Sequence, residues 1–135
     1  MDNEWIKPAL GFPIAVIAFL VGDFDIMLAG LLAIILIDFI TGILKAIHNK
    51  SLSSEIMFRG GIKKIGILLV VAAANIIDNA LGFSVALRGV TMGYYIANEG
   101  LSILENWAHL GLPLPEKVMN ILKQLQSKGD LSDTL

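Results

Sequence analysis

The residues with most to explain are the polar and ionisable ones that interrupt long apolar runs. Asp38, Thr41 and Lys45 fall at i, i+3 and i+7 and share one helix face, with Asp38 about two turns, or roughly 10 Å, deeper than Lys45. Such a face suits an intramembrane ion pair, to Lys63 or Lys64 of the following segment, or a group that favours oligomer contacts or lines a lumen. Asn75, Asp78 and Asn79 form a second cluster, suited to polar contacts between helices, with Asp78 also placed to pair with Arg88. A third set, Thr91, Tyr95, Asn98, Ser102, Glu105 and His109, is spaced by four, three, four, three and four residues, with Glu99 and Asn106 beside it. That is one polar stripe down a helix, opposite Val90, Ile96, Leu101, Leu104 and Ala108. A stripe with two glutamates is too polar for lipid tails, so it must face other helices, a water-filled space or the headgroup zone.

None of these patterns is catalytic. His48 and His109 stand in a loop and at a helix end, and no Ser/His/Asp grouping, zinc-type spacing or phosphate-binding glycine loop occurs. A lipid phosphotransferase needs clustered acidic metal ligands, whereas Asp38 is alone on its helix. No catalytic residue, cofactor or metal is therefore expected, and His109 reads as a polar packing residue. The chain has no cysteine, which removes disulfides and thiolate chemistry from consideration. A separate theme is small residues: Gly89, Gly93 and Ala97 make a row on one helix face, as do Gly11 with Ala15 and Ala18 with Gly22. Such rows let helix backbones approach closely where lipid removes the hydrophobic driving force.

The elements that must position these groups are set by composition. Of 135 residues, 56% are hydrophobic and 16% charged, and the mean hydropathy is +0.75, more apolar surface than one small soluble globule encloses. The net charge of −2 gives no reason to expect a nucleic-acid partner. A spanning helix needs roughly 20 mainly apolar residues, and four stretches approach that length, at about 9–22, 26–47, 62–83 and 89–111. The first is short and contains Pro13, so it crosses only with help from its Trp5–Lys7 flank or a thinned bilayer. Asp2 and Glu4 do not suit the cationic start of a cleaved secretory signal, so this run is expected to stay in the mature chain. Gly22-Asp23-Phe24-Asp25 reads as a tight turn, and residues 48–59 as a polar loop. Pro113 and Pro115 end the fourth segment.

Beyond them, Val118, Ile121, Leu122 and Leu125 lie opposite Lys117, Lys123 and Lys128, which predicts an amphipathic surface helix followed by a polar tail. The expected fold is thus an all-α integral membrane protein with three to four transmembrane helices and a C-terminal amphipathic helix. The expected division is a transmembrane domain over 1–112 and a cytoplasmic helix and tail over 113–135. Lys45, Lys50, Arg59, Lys63 and Lys64 surround the loop at 48–61, which places that loop and the C-terminus in the cytoplasm. A re-entrant or interfacial first segment makes three spans and moves only the N-terminus outside.

The run Tyr94-Tyr95-Ile96-Ala97-Asn98-Glu99-Gly100-Leu101-Ser102-Ile103-Leu104-Glu105-Asn106, followed by Gly111-Leu112-Pro113-Leu114-Pro115, resembles the signature of the phage-lysis and toxin-secretion holin family. Gly61-Ile62-Lys63-Lys64 before a helix that reaches Asp78, and Asp38 with Thr41-Gly42 in the helix before it, are similar to the same family's pattern. The resemblance runs from about Ile26 to Leu125. It implies a small multi-pass protein of the bacterial cytoplasmic membrane that accumulates, homo-oligomerises and opens a lesion. An endolysin, or in relatives a toxin, leaves through that lesion, and an antiholin is among the partners it implies. The residues then expected to be oligomer-facing or lumen-facing are Asp38, Thr41, Asn75, Asp78, Asn98, Glu99, Ser102, Glu105 and Asn106, with Gly89, Gly93 and Ala97 for helix packing. Two other classes compete: an antiholin-type regulator or passive membrane anchor, which shares these features, and a small proton-coupled multidrug transporter. The transporter wants an embedded carboxylate in its first span, and Ala9–Val21 has none.

Overall fold

A computed structural model describes residues 6–84, 86–121 and 124. Four long α-helices form among the described residues: α1 (Ile6–Val21), α2 (Ile26–His48), α3 (Ser54–Leu81) and α4 (Ala86–His109), and no strand is present among them. Each boundary has a local cause. The Asp25 side chain accepts the Leu28 N–H at 2.8 Å and starts α2, and Ser53 accepts the Ile56 N–H at 3.2 Å to start α3. Gly82, in the left-handed region at φ +71°, closes α3, while Phe83 N–H donates to the Asp78 carbonyl at 2.8 Å.

α3 starts eight residues before the expected span, so the polar loop shrinks to residues 49–53. The Ser53 cap, Glu55 in the first turn and the Glu55–Arg59 pair at 2.7 Å make helix of a stretch whose polarity suggested loop. Residues 116–121 are helical; the rest of the expected surface helix, including Leu122, Lys123 and Leu125, and the Trp5 flank fall outside the described residues.

α2 and α3 are long and apolar enough to cross a bilayer, and α1 is a shorter apolar helix of 16 residues. α4 has 24 residues but does not meet the same apolar standard. The broadest contact is between α2 and α4, then α3 with α4. α1 lies along α3 and not along α2, despite the four-residue turn joining it to α2. The buried apolar centre is small: Leu28, Leu31, Ile35, Ile67, Val71 and Met92. The outside carries the larger apolar load, with every α1 residue from Lys7 to Leu20 exposed, together with Leu36, Ile40, Leu69, Val70 and Val90. That distribution is unsuited to water and natural in lipid.

Candidate functional site

Where the apolar centre ends, the bundle turns polar. Asp38 is residue 13 of the 23 in α2, and Glu99 is residue 14 of the 24 in α4, so each sits near the middle of its helix. Lys64 of α3 reaches both, donating from Nζ to Asp38 Oδ2 and to Glu99 Oε2. Asn106, two turns further along α4 than Glu99, donates from Nδ2 to Asp38 Oδ1 and to Thr41 Oγ1, each at 3.2 Å. Thr41 passes its own hydroxyl hydrogen back to the Asp38 carbonyl at 3.0 Å. The Lys64 side chain is 16% exposed and those of Asp38 and Glu99 are 8% and 6%. Three helices are thereby tied together by one ammonium, two carboxylates, an amide and a hydroxyl.

This network floors a cavity of about 520 Å³ between α2, α3 and α4. Its mouth lies toward the α2–α3 loop, at the exposed residues Asn49, Ser51, Leu52 and Lys63, and Ser102 and Glu105 line it from α4. The buried apolar centre lies further along the same helices, and none of its residues lines the cavity.

A second polar assembly stands at the opposite end of the bundle. Asp78, fully buried, accepts the Leu87 N–H at 3.0 Å and the Arg88 N–H at 2.8 Å, one on each carboxylate oxygen. It therefore caps α4 from the last turn of α3, putting a negative charge at a helix N-terminus. The Arg88 guanidinium, 3% exposed, donates to the Val21 carbonyl at 2.7 Å, the Asp23 carbonyl at 2.7 Å and Asp25 Oδ2 at 2.6 Å. Asn75 donates to the Phe19 and Leu20 carbonyls at 3.2 and 3.0 Å. The unpaired C-terminal carbonyls of α1 are thus satisfied by side chains of α3 and α4. Arg88, helped by the Leu28 N–H, holds the Asp25 carboxyl below the usual carboxylate range. Among the described residues, every buried side-chain nitrogen and oxygen has a hydrogen-bond partner.

Of the residues singled out from sequence, Asp38, Thr41, Glu99 and Asn106 come together, with Ser102 and Glu105 on the same cavity. Asn75 and Asp78 belong to the other assembly, and Asn98 is exposed beside the cavity. The buried line of α4 runs through Arg88, Met92, Glu99 and Asn106, one edge of the stripe and not its centre. Asp78 meets Arg88 through the backbone, because the guanidinium is committed to the α1–α2 turn. In the small-residue row, a Cβ on Gly93 would come 3.5 Å from Met27 Cε, whereas Gly89 faces open space and Ala97 is exposed. Two participants lie outside the residues expected to face an oligomer or a lumen: Lys64, a candidate partner for Asp38 alongside Lys63, and Arg88, a candidate partner for Asp78. Their signal was a cation facing an apolar run.

A helical membrane protein whose interior is held by buried ionic and amide contacts is the class these features define. The model of the bacteriophage holin family matches residues 15–127, and the chain belongs to that family. Among similar proteins, the probable holin of Bacillus phage phi105 is 39% identical over 100 residues, 74% of each chain. An uncharacterized 14.9 kDa protein of Clostridium perfringens is 44% identical over 108 residues, covering 79% of this chain and 82% of that one. A Listeria innocua protein is 39% identical over 120 residues, 89% of this chain and 85% of its own. No solved structure matches. Membership supports a holin role and a non-enzymatic membrane protein.

Proposed function

We propose that the chain crosses the bacterial cytoplasmic membrane several times, oligomerises there and forms a lesion through which a cell-wall hydrolase, or a toxin, leaves the cytoplasm. The observation that carries this reading is the Asp38–Lys64–Glu99–Asn106 network at mid-helix. Each ionised group at hydrocarbon depth costs about 2.5–3.5 kcal/mol on the insertion scale, an expense with little purpose in a passive anchor. In the resting state these groups satisfy one another within the subunit; in the assembled state some of them line water. A ligand or neighbouring copy that favours the second state needs to supply only a few kcal/mol. The exposed row at Gly89 and Ala97 offers a second copy a close approach to α4. The α2–α3 loop at 49–53, the first turns of α3 and the C-terminus face the cytoplasm, an orientation that the positive charges of Lys45, Lys50, Arg59, Lys63 and Lys64 favour.

Induction in a bacterium with and without a co-expressed cytoplasmic muralytic enzyme tests the proposal. A holin causes abrupt loss of viability alone and lysis with the enzyme; an anchor does neither, and a transporter gives drug resistance instead. Glu99→Leu or Glu105→Leu, at matched protein level, is expected to delay or abolish permeabilisation while membrane insertion persists. Unchanged lysis timing in both would count against the stripe's part in opening.

A further inference from the structure

The network's formal charges do not balance: two carboxylates, Asp38 and Glu99, share a single ammonium, Lys64, and all three side chains are largely buried. Asn106 and Thr41 add hydrogen bonds but no charge. Two carboxylates that share a buried site do not both ionise readily, and the surplus negative charge is relieved most directly by one proton. The cavity supplies a route for it, because its floor is this network and its mouth is at the exposed α2–α3 loop. Leu28, Leu31, Ile35, Ile67, Val71 and Met92 lie beyond the network along the same helices, and none of them lines the cavity.

We propose that Asp38, Lys64 and Glu99 form a proton-binding site, which holds one exchangeable proton between the two carboxylates and fills from the loop side of the membrane. The proton belongs to the pair, since coupled groups titrate together. It arrives from water at the mouth, forms an O–H bond on one carboxyl and returns the same way.

The other charged and titratable groups around the site leave the imbalance in place. From α2 it meets Lys45, from α3 Lys63, and from α4 Glu105, all lining the same cavity, while no described residue of α1 lines it. Lys63 is exposed, and Lys45 and Glu105 are half-buried toward the mouth, where water screens all three. The closed bundle binds this proton and a water-lined open state does not, so closure is favoured at low pH and weakens as pH rises. That consequence for opening rests on the holin reading; the proton itself does not.

Infrared titration of the full chain in vesicles of phosphatidylglycerol and phosphatidylethanolamine reads the carbonyl stretch of protonated carboxyl groups shielded from bulk water. The wild type is expected to show about one such carboxyl per chain at neutral pH, lost on going alkaline. Glu99→Gln and Asp38→Asn each leave one carboxylate on one ammonium, so either should remove the band. Glu55→Gln, on the exposed first turn of α3, should leave it whole. No protonated carboxyl in the wild type at neutral pH, or a band surviving either cavity substitution, overturns the proposal. Dye release from the same vesicles keeps the two readings apart. The band in vesicles that never leak supports the proton site and counts against the holin; leakage without the band does the reverse.

Discussion

Replacing Lys64 with Met keeps the side chain's length and apolar stem and removes only the ammonium. Asp38 and Glu99 are then left 8% and 6% exposed at side-chain level, facing each other with no cation between them. Removing one partner of a buried ion pair costs about 3–5 kcal/mol, because the orphaned charge cannot return to water without opening the structure. Uptake of a second proton recovers part of this, so the lower figure, about 3 kcal/mol, is the appropriate expectation at neutral pH. That is roughly a hundredfold shift in the folding equilibrium. Reversible unfolding in mixed micelles, followed by helix content as a denaturing detergent is added, measures it. Lys63→Met is the control, since its exposed side chain should contribute less than about 1 kcal/mol. The triple replacement of Asp38, Lys64 and Glu99 by leucine should recover most of the stability, there being no charge left to strand. A cost for Lys64→Met no greater than that for Lys63→Met would rule out a buried ammonium shared by the two carboxylates.

Three further outcomes follow from the geometry. Gly22→Ala should cost clearly more than Gly82→Ala in the same assay: both glycines have positive φ, at +83° and +71°, worth about 1–2 kcal/mol of backbone strain. Only at Gly22 would the new Cβ also meet Asn75 Oδ1 at 2.7 Å and Arg88 Nε at 2.8 Å. Arg88 holds the Asp25 carboxyl below its ordinary value, so the contribution of that pair is complete above about pH 4, the unfolded range, and is lost as pH falls through the depressed folded value. Hydrogen exchange of the α1 amides should therefore be flat near neutrality and rise relative to intrinsic rates in acid, a response that Arg88→Gln abolishes while raising exchange at all pH. Asn106→Ala should destabilise by about 1–3 kcal/mol, because it strips hydrogen bonds from buried Asp38 and Thr41, whereas Asn98→Ala at an exposed position should do little.

The long apolar runs of α2 and α3 were legible because burial in lipid demands them at a length composition alone reveals. The N-terminal part of α3 was not, since Ser53 to Gly61 is as polar as a loop and becomes helical through a cap and a surface ion pair. In α4 the existence of a polar stripe was legible, but not which edge turns inward. Glu99 and Asn106 are buried and Asn98 is exposed because Asp38 and Lys64 stand on neighbouring helices, information that no single helix carries. Lys63 and Lys64 were equal candidates for Asp38, being adjacent; a rotation of about 100° around α3 separates them, and only the packing of α3 fixes it. Nor could the sequence show that Arg88 and Asn75 hold the end of α1. Their partners are backbone carbonyls of Phe19, Leu20, Val21 and Asp23, and a carbonyl has no residue type.

A chain with Asp38, Lys64 and Glu99 buried at mid-helix is expected to assemble in the bilayer and let macromolecules pass. The most direct measurement is the release of an entrapped, fluorescently labelled muralytic enzyme from vesicles carrying the purified full chain at increasing density. Release that begins steeply above a threshold density, together with oligomers in the same membranes, is the predicted result. Vesicles that retain the enzyme at every loading while the protein stays monomeric would contradict it.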